Sequence, residues 1–378
     1  MSKEHIPVVI DNGTLYTKAG FAGEEDPQLV FPTIVGCPKF KAAIVAGKNK
    51  DAYIGEEATA KSGILIRKHP IDLGIIKDWD NIEKLWQYTY SKLKINPSEH
   101  PVLFTEPANN PKANRQRLIQ IMFETFNVPA FSLDMQAVLS LYSSNQHTGV
   151  ILESGGSITN IVPIINGRPF IDSIKSINFG GHDVSLYFEK IMNDSSSRVD
   201  KFNVTVNLDS AVEIKEKCTF VALDFDTELQ KAQETHDCDM TFTSEKTESM
   251  IEIGDERFRC PEILFKPFLN GLEFDGFDKS IFDSIEKCNV GIRKDLYRNI
   301  FTAGGNTLFP CLQERLTKEI KNLAPNGTEV KVEKLSAKYP AWRGGSILAS
   351  GDSFAKKAVS RDEYNDQGSD VVNRKCIY

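Results

Sequence analysis

The sequence lacks several features that would assign it at once to a class of protein. Its seven cysteines include no Cys-x-x-Cys pair, and neither the cysteines nor the six histidines have the spacing of a zinc site. The cysteines are therefore expected to be free thiols. Cys376 lies two residues from the end and is expected to be exposed and reactive. No apolar run is long enough to cross a bilayer, so no membrane span is predicted.

A basic excess is also missing. The net charge is −7, from 45 basic and 52 acidic residues. A general nucleic-acid binder needs a basic surface, so that class is excluded. Residues 1–5 contain no apolar secretory core, which predicts a place in the cytosol or nucleus. The 378 residues are 40% hydrophobic and 26% charged, which indicates a folded protein of two domains.

Two stretches of the chain share one plan. In the first, an apolar strand over residues 7–10 leads to Asp11 and a turn with Gly13. In the second, an apolar strand over residues 150–152 leads to Glu153 and a turn with Gly155 and Gly156. Glycine lets backbone N–H groups approach an anion, and a carboxylate can hold the cation that accompanies it. The repetition therefore predicts a Mg-nucleotide site without a P-loop lysine motif. The alternative is two ordinary tight β-hairpins.

The order of apolar patterns predicts a duplicated α/β unit. Asp80 and Asp134 are expected to cap helices, since both precede helical apolar patterns. The polar stretch 227–248 is expected to be an exposed loop or hairpin. Residues 300–307 predict a strand and a Gly-Gly turn before a helix at Pro310, an arrangement that suits a phosphate.

Several long segments resemble actin, in order and over essentially the whole chain. They include DNG at 11–13, KAGFAG at 18–23, NPKANR at 110–115, QAVLSLY at 136–142, FRCPE at 258–262, GGSILAS at 344–350 and RKC at 374–376. The resemblance implies an α/β, actin-like ATPase fold with two duplicated ribonuclease-H-like lobes around a nucleotide cleft. Residues 1–143 and 340–378 would form the first lobe, with a small mobile subdomain inserted at 33–69. Residues 144–339 would form the second, with a subdomain inserted at 180–272.

The resemblance also implies ATP or ADP and Mg²⁺ as ligands. Asp11 and Glu153 would hold Mg²⁺ indirectly, through its waters. Lys18 would reach the β- and γ-phosphates and Thr14 the terminal phosphate, and Gln136 would orient the attacking water. The other implied nucleotide-binding residues are Gly13, Leu15, Gly155, Gly156, Ser157, Gly181, Lys215, Glu216, Gly304, Gly305, Asn306, Phe309 and Lys338.

Five positions near the implied phosphates depart from the family pattern. Leu15 and Ser157 stand where glycines are usual, Glu153 and Gly156 where aspartates are usual, and Asn160 where a histidine is usual. The longer side chain of Glu153 displaces its carboxylate by about 1.5 Å, and Mg²⁺ tolerates little error in geometry. We expect nucleotide binding to survive and hydrolysis to be weakened, because small misplacements of catalytic groups are costly. The alternative is tolerated drift without effect.

These observations favour a divergent actin-like cytoskeletal protein of the cytoplasm that binds Mg-ATP. It would self-associate or co-assemble with actin, and bind actin-binding proteins. An alternative is a non-polymerising actin-related scaffold subunit that binds nucleotide structurally. A sugar-kinase or heat-shock-type ATPase is a third reading, for which no sugar-site signature is visible. The loop at 39–50, with Ala42, Ala43 and Ala46 at its tip, is expected to be mobile.

Overall fold

A computed structural model describes residues 6–39, 52–61, 63–194, 206–243 and 250–376. The loop predicted at 39–50 lies outside the described residues from residue 40 onward. The strands are β1 (Val8–Asn12), β2 (Tyr16–Phe21), β3 (Leu29–Pro32), β4 (Val35–Pro38), β5 (Tyr53–Ile54), β6 (Leu65–Lys68), β7 (Ile71–Asp72), β8 (Ile75–Ile76), β9 (Val102–Glu106), β10 (Ala130–Met135), β11 (Gly149–Ser154), β12 (Thr159–Ile165), β13 (Arg168–Pro169), β14 (Lys175–Ile177), β15 (Met240–Thr243), β16 (Met250–Ile253), β17 (Ile300–Ala303), β18 (Val332–Lys334) and β19 (Val359–Ser360). The helices are α1 (Glu56–Ala60), α2 (Trp79–Leu93), α3 (Lys112–Glu124), α4 (Gln136–Tyr142), α5 (Gly181–Asp194), α6 (Leu208–Cys218), α7 (Phe225–Thr235), α8 (Glu256–Glu262), α9 (Phe277–Glu286), α10 (Val290–Arg298), α11 (Leu312–Leu323), α12 (Pro340–Ser350), α13 (Phe354–Lys357), α14 (Arg361–Gln367) and α15 (Val371–Lys375).

The chain divides into two compact units. The first comprises Met1–Thr148, Ile164–Pro169 and Leu335–Tyr378, and the second comprises Gly149–Pro163 and Phe170–Lys334. The lobe boundaries proposed from the resemblance, at 143/144 and 339/340, and the inserted subdomains stay predictions.

The first unit is built on a six-stranded sheet with the order β19-β10-β9-β1-β2-β3. Its central strand β1 is parallel to β9, antiparallel to β2 and buried throughout. Alternate side chains of a strand point to opposite faces. Val8 and Ile10 accordingly join the core that contains Trp86, whereas Val9 joins the core that contains Trp342. Burial on both faces explains why residues 8–10 form an unbroken apolar run.

The second unit repeats this plan. Its larger sheet contains β12, β11, β17 and β18 in that order, and β14 also pairs with β12. The strand β11 is parallel to β17 as β1 is to β9, and each leads through a turn into its neighbour, β12 or β2. Val150 and Leu152 pack into one large core with Phe179 and Phe277. The α/β class predicted from the sequence is confirmed.

Two predicted helix caps are wrong. Asp78, not Asp80, caps α2, and its side chain accepts a hydrogen bond from the Asn81 N–H at 3.1 Å. Asp80 lies in the first turn of that helix. Asp134 is a strand residue that pairs with Thr105 of β9, because β10 continues to Met135 before α4 begins.

The stretch 227–248 is not only a loop or hairpin. Most of its first half belongs to α7, which Asp224 caps by accepting from the Thr227 N–H at 3.2 Å. The buried Ala232 and the neighbouring Phe225 pack against Phe258, so this acidic helix is stabilised by a small apolar contact surface. A second correction concerns the Gly-Gly turn. A 3₁₀ turn follows it, and α11 begins only at Leu312, so this helix start is not joined to the turn.

Cys376 is buried, contrary to the prediction that it is exposed and reactive. Burial raises the pKa of its thiol to about 12. Its carbonyl oxygen accepts from Arg115 at 3.2 Å, and Arg115 also forms a buried ion pair with Glu106. These contacts hold the turn at Cys376 against the rest of the first unit. The exposed cysteine among the described residues is Cys311.

We expect a maleimide at neutral pH to label Cys311 first and Cys376 only after unfolding, because the accessible thiolate is the reactive form. Peptide mapping by mass spectrometry during a time course would measure both rates. Cys311→Ser should remove the earliest labelling, and Cys376→Ser should leave it unchanged. Faster labelling of Cys376 than of Cys311 in the native protein would contradict the buried placement.

The carboxyl group of Asp134 makes the stability of the folded protein depend on pH. Burial raises the pKa of Asp134 to about 6, against the lowering effects of Lys357, Ser132 and Arg115, while Glu106 raises it further. The folded state therefore holds the proton more tightly than the unfolded chain. This stabilisation is complete below pH 4 and is lost as the pH rises through about 6.

Asp134→Asn is accordingly expected to stabilise the protein at pH 7.5 by about 1–2 kcal/mol, a value reduced because the side chain is only half-buried. At pH 4 the variant and the wild type should be equally stable. Urea unfolding at both pH values would test this. An equal gain at the two pH values would mean that charge is not the cause.

Candidate functional site: two acid–glycine hairpins

The first hairpin places an acid and a lysine side by side. Asp11 and Lys18 are register partners on β1 and β2, and the Lys18 Nζ lies 2.9 Å from the Asp11 Oδ2. The Asp11 carboxylate is buried, whereas the Lys18 side chain keeps 20% of its exposure. The lysine can therefore reach a ligand while it balances the buried charge.

Two residues from elsewhere in the first unit hold the other oxygen of Asp11. Its Oδ1 accepts from the Thr105 hydroxyl at 2.6 Å and from the Gln136 amide nitrogen at 2.9 Å. Burial alone would raise the pKa of Asp11, but the Lys18 charge and these hydrogen bonds outweigh it and lower the pKa. The carboxylate is thus ionised at neutral pH in one fixed orientation.

The turn of this hairpin is narrow. A Cβ on Gly13 would lie 3.0 Å from the Tyr16 carbonyl oxygen and 3.3 Å from the Lys18 Nζ. The Gly13 carbonyl accepts from Thr33, and the Thr14 hydroxyl accepts from the Gly74 N–H at 3.3 Å. The side chain of Leu15 is exposed at the tip. The closer obstacle is the Tyr16 carbonyl oxygen, a backbone atom, so the turn favours glycine at this position.

The second hairpin is joined to the start of α5. The Gly155 N–H donates to Ile158, while the Gly155 carbonyl accepts from Gly181 at 2.9 Å and the Gly156 carbonyl accepts from His182 at 2.8 Å. A Cβ on Gly180 would lie 2.6 Å from backbone atoms of Gly156 and Ser157. Two of the first amides of α5 are therefore used by this turn.

A buried polar chain that the sequence analysis missed lies behind this turn. The Ser154 hydroxyl lies 2.6 Å from that of Thr159, which donates to the Phe179 carbonyl, and the Asn306 Nδ2 donates to the Ser154 Oγ at 2.9 Å. Gly304 has φ +91°, and a Cβ there would lie 2.2 Å from the Ser154 carbonyl oxygen. The signal available in the sequence was the pair of hydroxyl residues that flank the turn.

Among the described residues, one atom of this group of buried polar side chains, the Asn306 Oδ1, has no hydrogen-bond partner. Within the described part of the protein, the Asn306 Oδ1 is buried and makes no hydrogen bond. Such an atom is costly unless a water or a ligand supplies a donor. Its place beside the second hairpin fits a polar ligand there, next to Gly181, whose Cβ position is 3.6 Å away.

The remaining predicted nucleotide-binding residues are dispersed. Lys215 lies on α6, where its Nζ donates to the Gly181 carbonyl at 2.9 Å, and burial lowers its pKa. Glu216 is exposed, and Phe309 belongs to the core of the second unit. Lys338 lies in the first unit, with its Nζ 5.2 Å from the centre of the Tyr339 ring. Lys215 is thus the one of these four that contacts the start of α5, to which the second hairpin is joined.

Two of the unusual residues have defined places in the second unit. Glu153, near the end of β11, is half-buried and is the register partner of Ala303. Asn160 is buried, and its Oδ1 accepts from the Ser176 hydroxyl at 2.7 Å across the β12–β14 pair. No group of three or more His, Cys, Asp and Glu among the described residues could hold a metal ion directly.

Fold and site together define an α/β protein with a duplicated strand–hairpin plan, in which each copy carries an acid and a glycine turn. Comparison with protein families sharpens this class. The family model for actin matches residues 2–377, nearly the whole chain, and the protein belongs to the actin family. Members of that family generally bind a nucleotide and a divalent metal ion. No described helix is long and apolar enough to span a membrane.

Proposed function

We propose that this actin-family protein binds Mg-ATP or Mg-ADP through its two acid–glycine hairpins and assembles into, or associates with, cytoskeletal filaments. The observation that carries the proposal is the ionised Asp11, fixed by Lys18, Thr105 and Gln136. A buried carboxylate next to a partly exposed lysine suits the hydrated metal and the phosphates of one ligand.

Each residue of the two hairpins has a separate role in the proposed binding. Lys18 would supply a cation for the phosphates, and Gly13 lets the turn pass close to the Tyr16 carbonyl oxygen. Asp11 would accept hydrogen bonds from the waters of a bound Mg²⁺. On the second hairpin, Ser157 and the glycines form the backbone turn, and the orphaned Asn306 oxygen accepts from a polar ligand or its water. Bound Mg-ATP would supply a phosphoanhydride bond that water can hydrolyse.

We propose that this hydrolysis is slow. The Gln136 amide nitrogen donates to Asp11 and to Thr105, which leaves its oxygen to accept from a water. The Asn160 side-chain oxygen already accepts a hydrogen bond from the Ser176 hydroxyl. An amide does not titrate near neutral pH, so Asn160 cannot take a proton from that water. Glu153 presents its carboxylate one bond further out than an aspartate would.

Three measurements test the proposal. Equilibrium titration with a fluorescent ATP analogue in Mg²⁺ should show saturable binding, and sedimentation in Mg-ATP and salt at tens of micromolar should pellet filaments. Phosphate release over hours should be slow, and the combined substitution Glu153→Asp, Gly156→Asp and Ser157→Gly should raise it. Nucleotide binding with persistent monomer would favour the non-polymerising scaffold, and absence of binding would refute both.

A further inference from the structure

The strand β6 forms an exposed edge in the first unit. It lies at one end of the three-stranded sheet β5-β4-β6, and β4 is its only strand partner among the described residues. Its last three residues, Ile66, Arg67 and Lys68, are all exposed. A strand in such a position offers unpaired backbone groups to another chain.

The register shows which groups these are. The Lys39 N–H donates to the Ile64 carbonyl at 3.1 Å, so residues 64, 66 and 68 direct their backbone groups toward β4. Residues 65 and 67 then direct theirs outward. The Leu65 N–H donates to the Lys61 carbonyl, and among the described residues the Leu65 carbonyl and both backbone groups of Arg67 have no backbone partner. Three consecutive backbone hydrogen-bonding groups are thus available to pair with an added strand.

The side chains beside this edge are unusually apolar. Leu65 points inward and packs with Tyr53 and Ala58. On the opposite face, Ile64 is 65% exposed and Ile66 50% exposed. Charged side chains, proline and bulges commonly protect an edge strand from pairing with another chain. Two adjacent exposed isoleucines do not serve that purpose, and they suit contact with another apolar surface.

The charge of the edge indicates its partner. Arg67 and Lys68 form no ion pair within the described ranges, whereas the nearby Lys61 is paired with Glu57. Antiparallel pairing of β6 with a second copy of itself would bring the Arg67 and Lys68 cations of both copies to one edge. In the register that pairs residue 67 with residue 67, two arginines would lie opposite each other, which is unfavourable. A strand with acidic residues would instead complement both cations.

We propose that β6 is a docking edge for an extended acidic peptide with alternating apolar residues, which adds to the sheet as a further strand. The backbone groups of residues 65 and 67 provide the ladder, the two isoleucines contact the apolar side chains, and Arg67 and Lys68 select the acids. This proposal does not depend on nucleotide binding.

A fluorescein-labelled nine-residue peptide of alternating glutamate and valine is the probe, with fluorescence anisotropy as the readout on the full-length protein. We expect saturable binding that weakens at least tenfold in Arg67→Glu/Lys68→Glu. Lys334→Glu/Lys356→Glu makes the same charge change at exposed residues elsewhere and should bind normally. Ile66→Thr keeps a β-branched side chain and should weaken binding several-fold.

Two further peptides separate strand addition from charge attraction. The same peptide with alternate amides N-methylated should lose binding, and a lysine–valine peptide should not bind. Equal binding of the N-methylated peptide, no binding of the probe, or no effect of the charge reversal would each overturn the proposal. Self-association that Arg67→Glu/Lys68→Glu abolishes without peptide would instead identify the edge as a contact between copies of this chain.

Discussion

Gly344→Ala is expected to destabilise the first unit by at least about 3 kcal/mol, the upper end of the usual cost of overpacking. An added Cβ would lie 1.8 Å from the Leu139 carbonyl oxygen, where α12 packs against α4. The obstacle is backbone, so no rotamer change can relieve it and the two helices must separate. Trp342 and Val9 lie in the same core and would lose contacts as well.

Two matched glycines make this test quantitative. A Cβ on Gly345 would lie 2.9 Å from the Val9 Cγ1, a side-chain atom rather than backbone and at a longer distance, so Gly345→Ala should cost less. Gly291 in α10 has open space around its Cβ position, and Gly291→Ala should be neutral or stabilise by up to about 1 kcal/mol. Thermal and urea unfolding should rank the three variants in this order. A Gly344→Ala protein as stable as Gly291→Ala would refute the close helix contact.

Asp11→Asn is expected to weaken Mg-ATP binding roughly 100-fold, at the upper end of what a hydrogen bond to a charged group contributes. Asparagine has nearly the same shape, but it carries no charge for a hydrated Mg²⁺. The partly exposed Lys18 can be solvated without its partner, so the variant should fold. Titrations with and without Mg²⁺ distinguish the cause, because the affinity for metal-free nucleotide should change much less.

Asp134→Asn is the matched control for this substitution. It also removes a half-buried carboxylate from the sheet of the first unit, but the side-chain hydrogen bond of Asp134 is with Ser132 and not with Asp11 or Lys18. Its nucleotide affinity should equal that of the wild type. Unchanged binding in Asp11→Asn, or an equal loss in both variants, would remove Asp11 from the site.

The family and the α/β class were predictable from the sequence, because long runs of residues and the apolar strand patterns are local properties of the chain. The family match and the described sheets confirm both. The two hairpins were predictable for the same reason, since each is a strand, an acid and a turn within a few residues. The functional roles of their residues stay predictions that the titrations above would test.

Local patterns failed where a long-range contact decides between two local solutions. The pattern around Asp134 predicts a helix cap, but pairing with β9 extends β10 through this residue. The acidic stretch from residue 227 predicts an exposed loop or hairpin, but packing against Phe258 stabilises a helix over most of its first half. Cys376 looked exposed because it is near the end of the chain. Arg115, 261 residues away, fixes its carbonyl in the interior.

The sequence by itself determined that this protein is an actin-family α/β chain with two acid–glycine turns, because the residues that define those features are adjacent. Only the tertiary structure decided what the acid of the first turn can do. Thr105 and Gln136 are 94 and 125 positions from Asp11, yet both donate to one of its oxygens. Parallel pairing of β1 with β9, and of β9 with β10, brings them together. That pairing keeps a buried carboxylate ionised, a property that no stretch of the sequence contains.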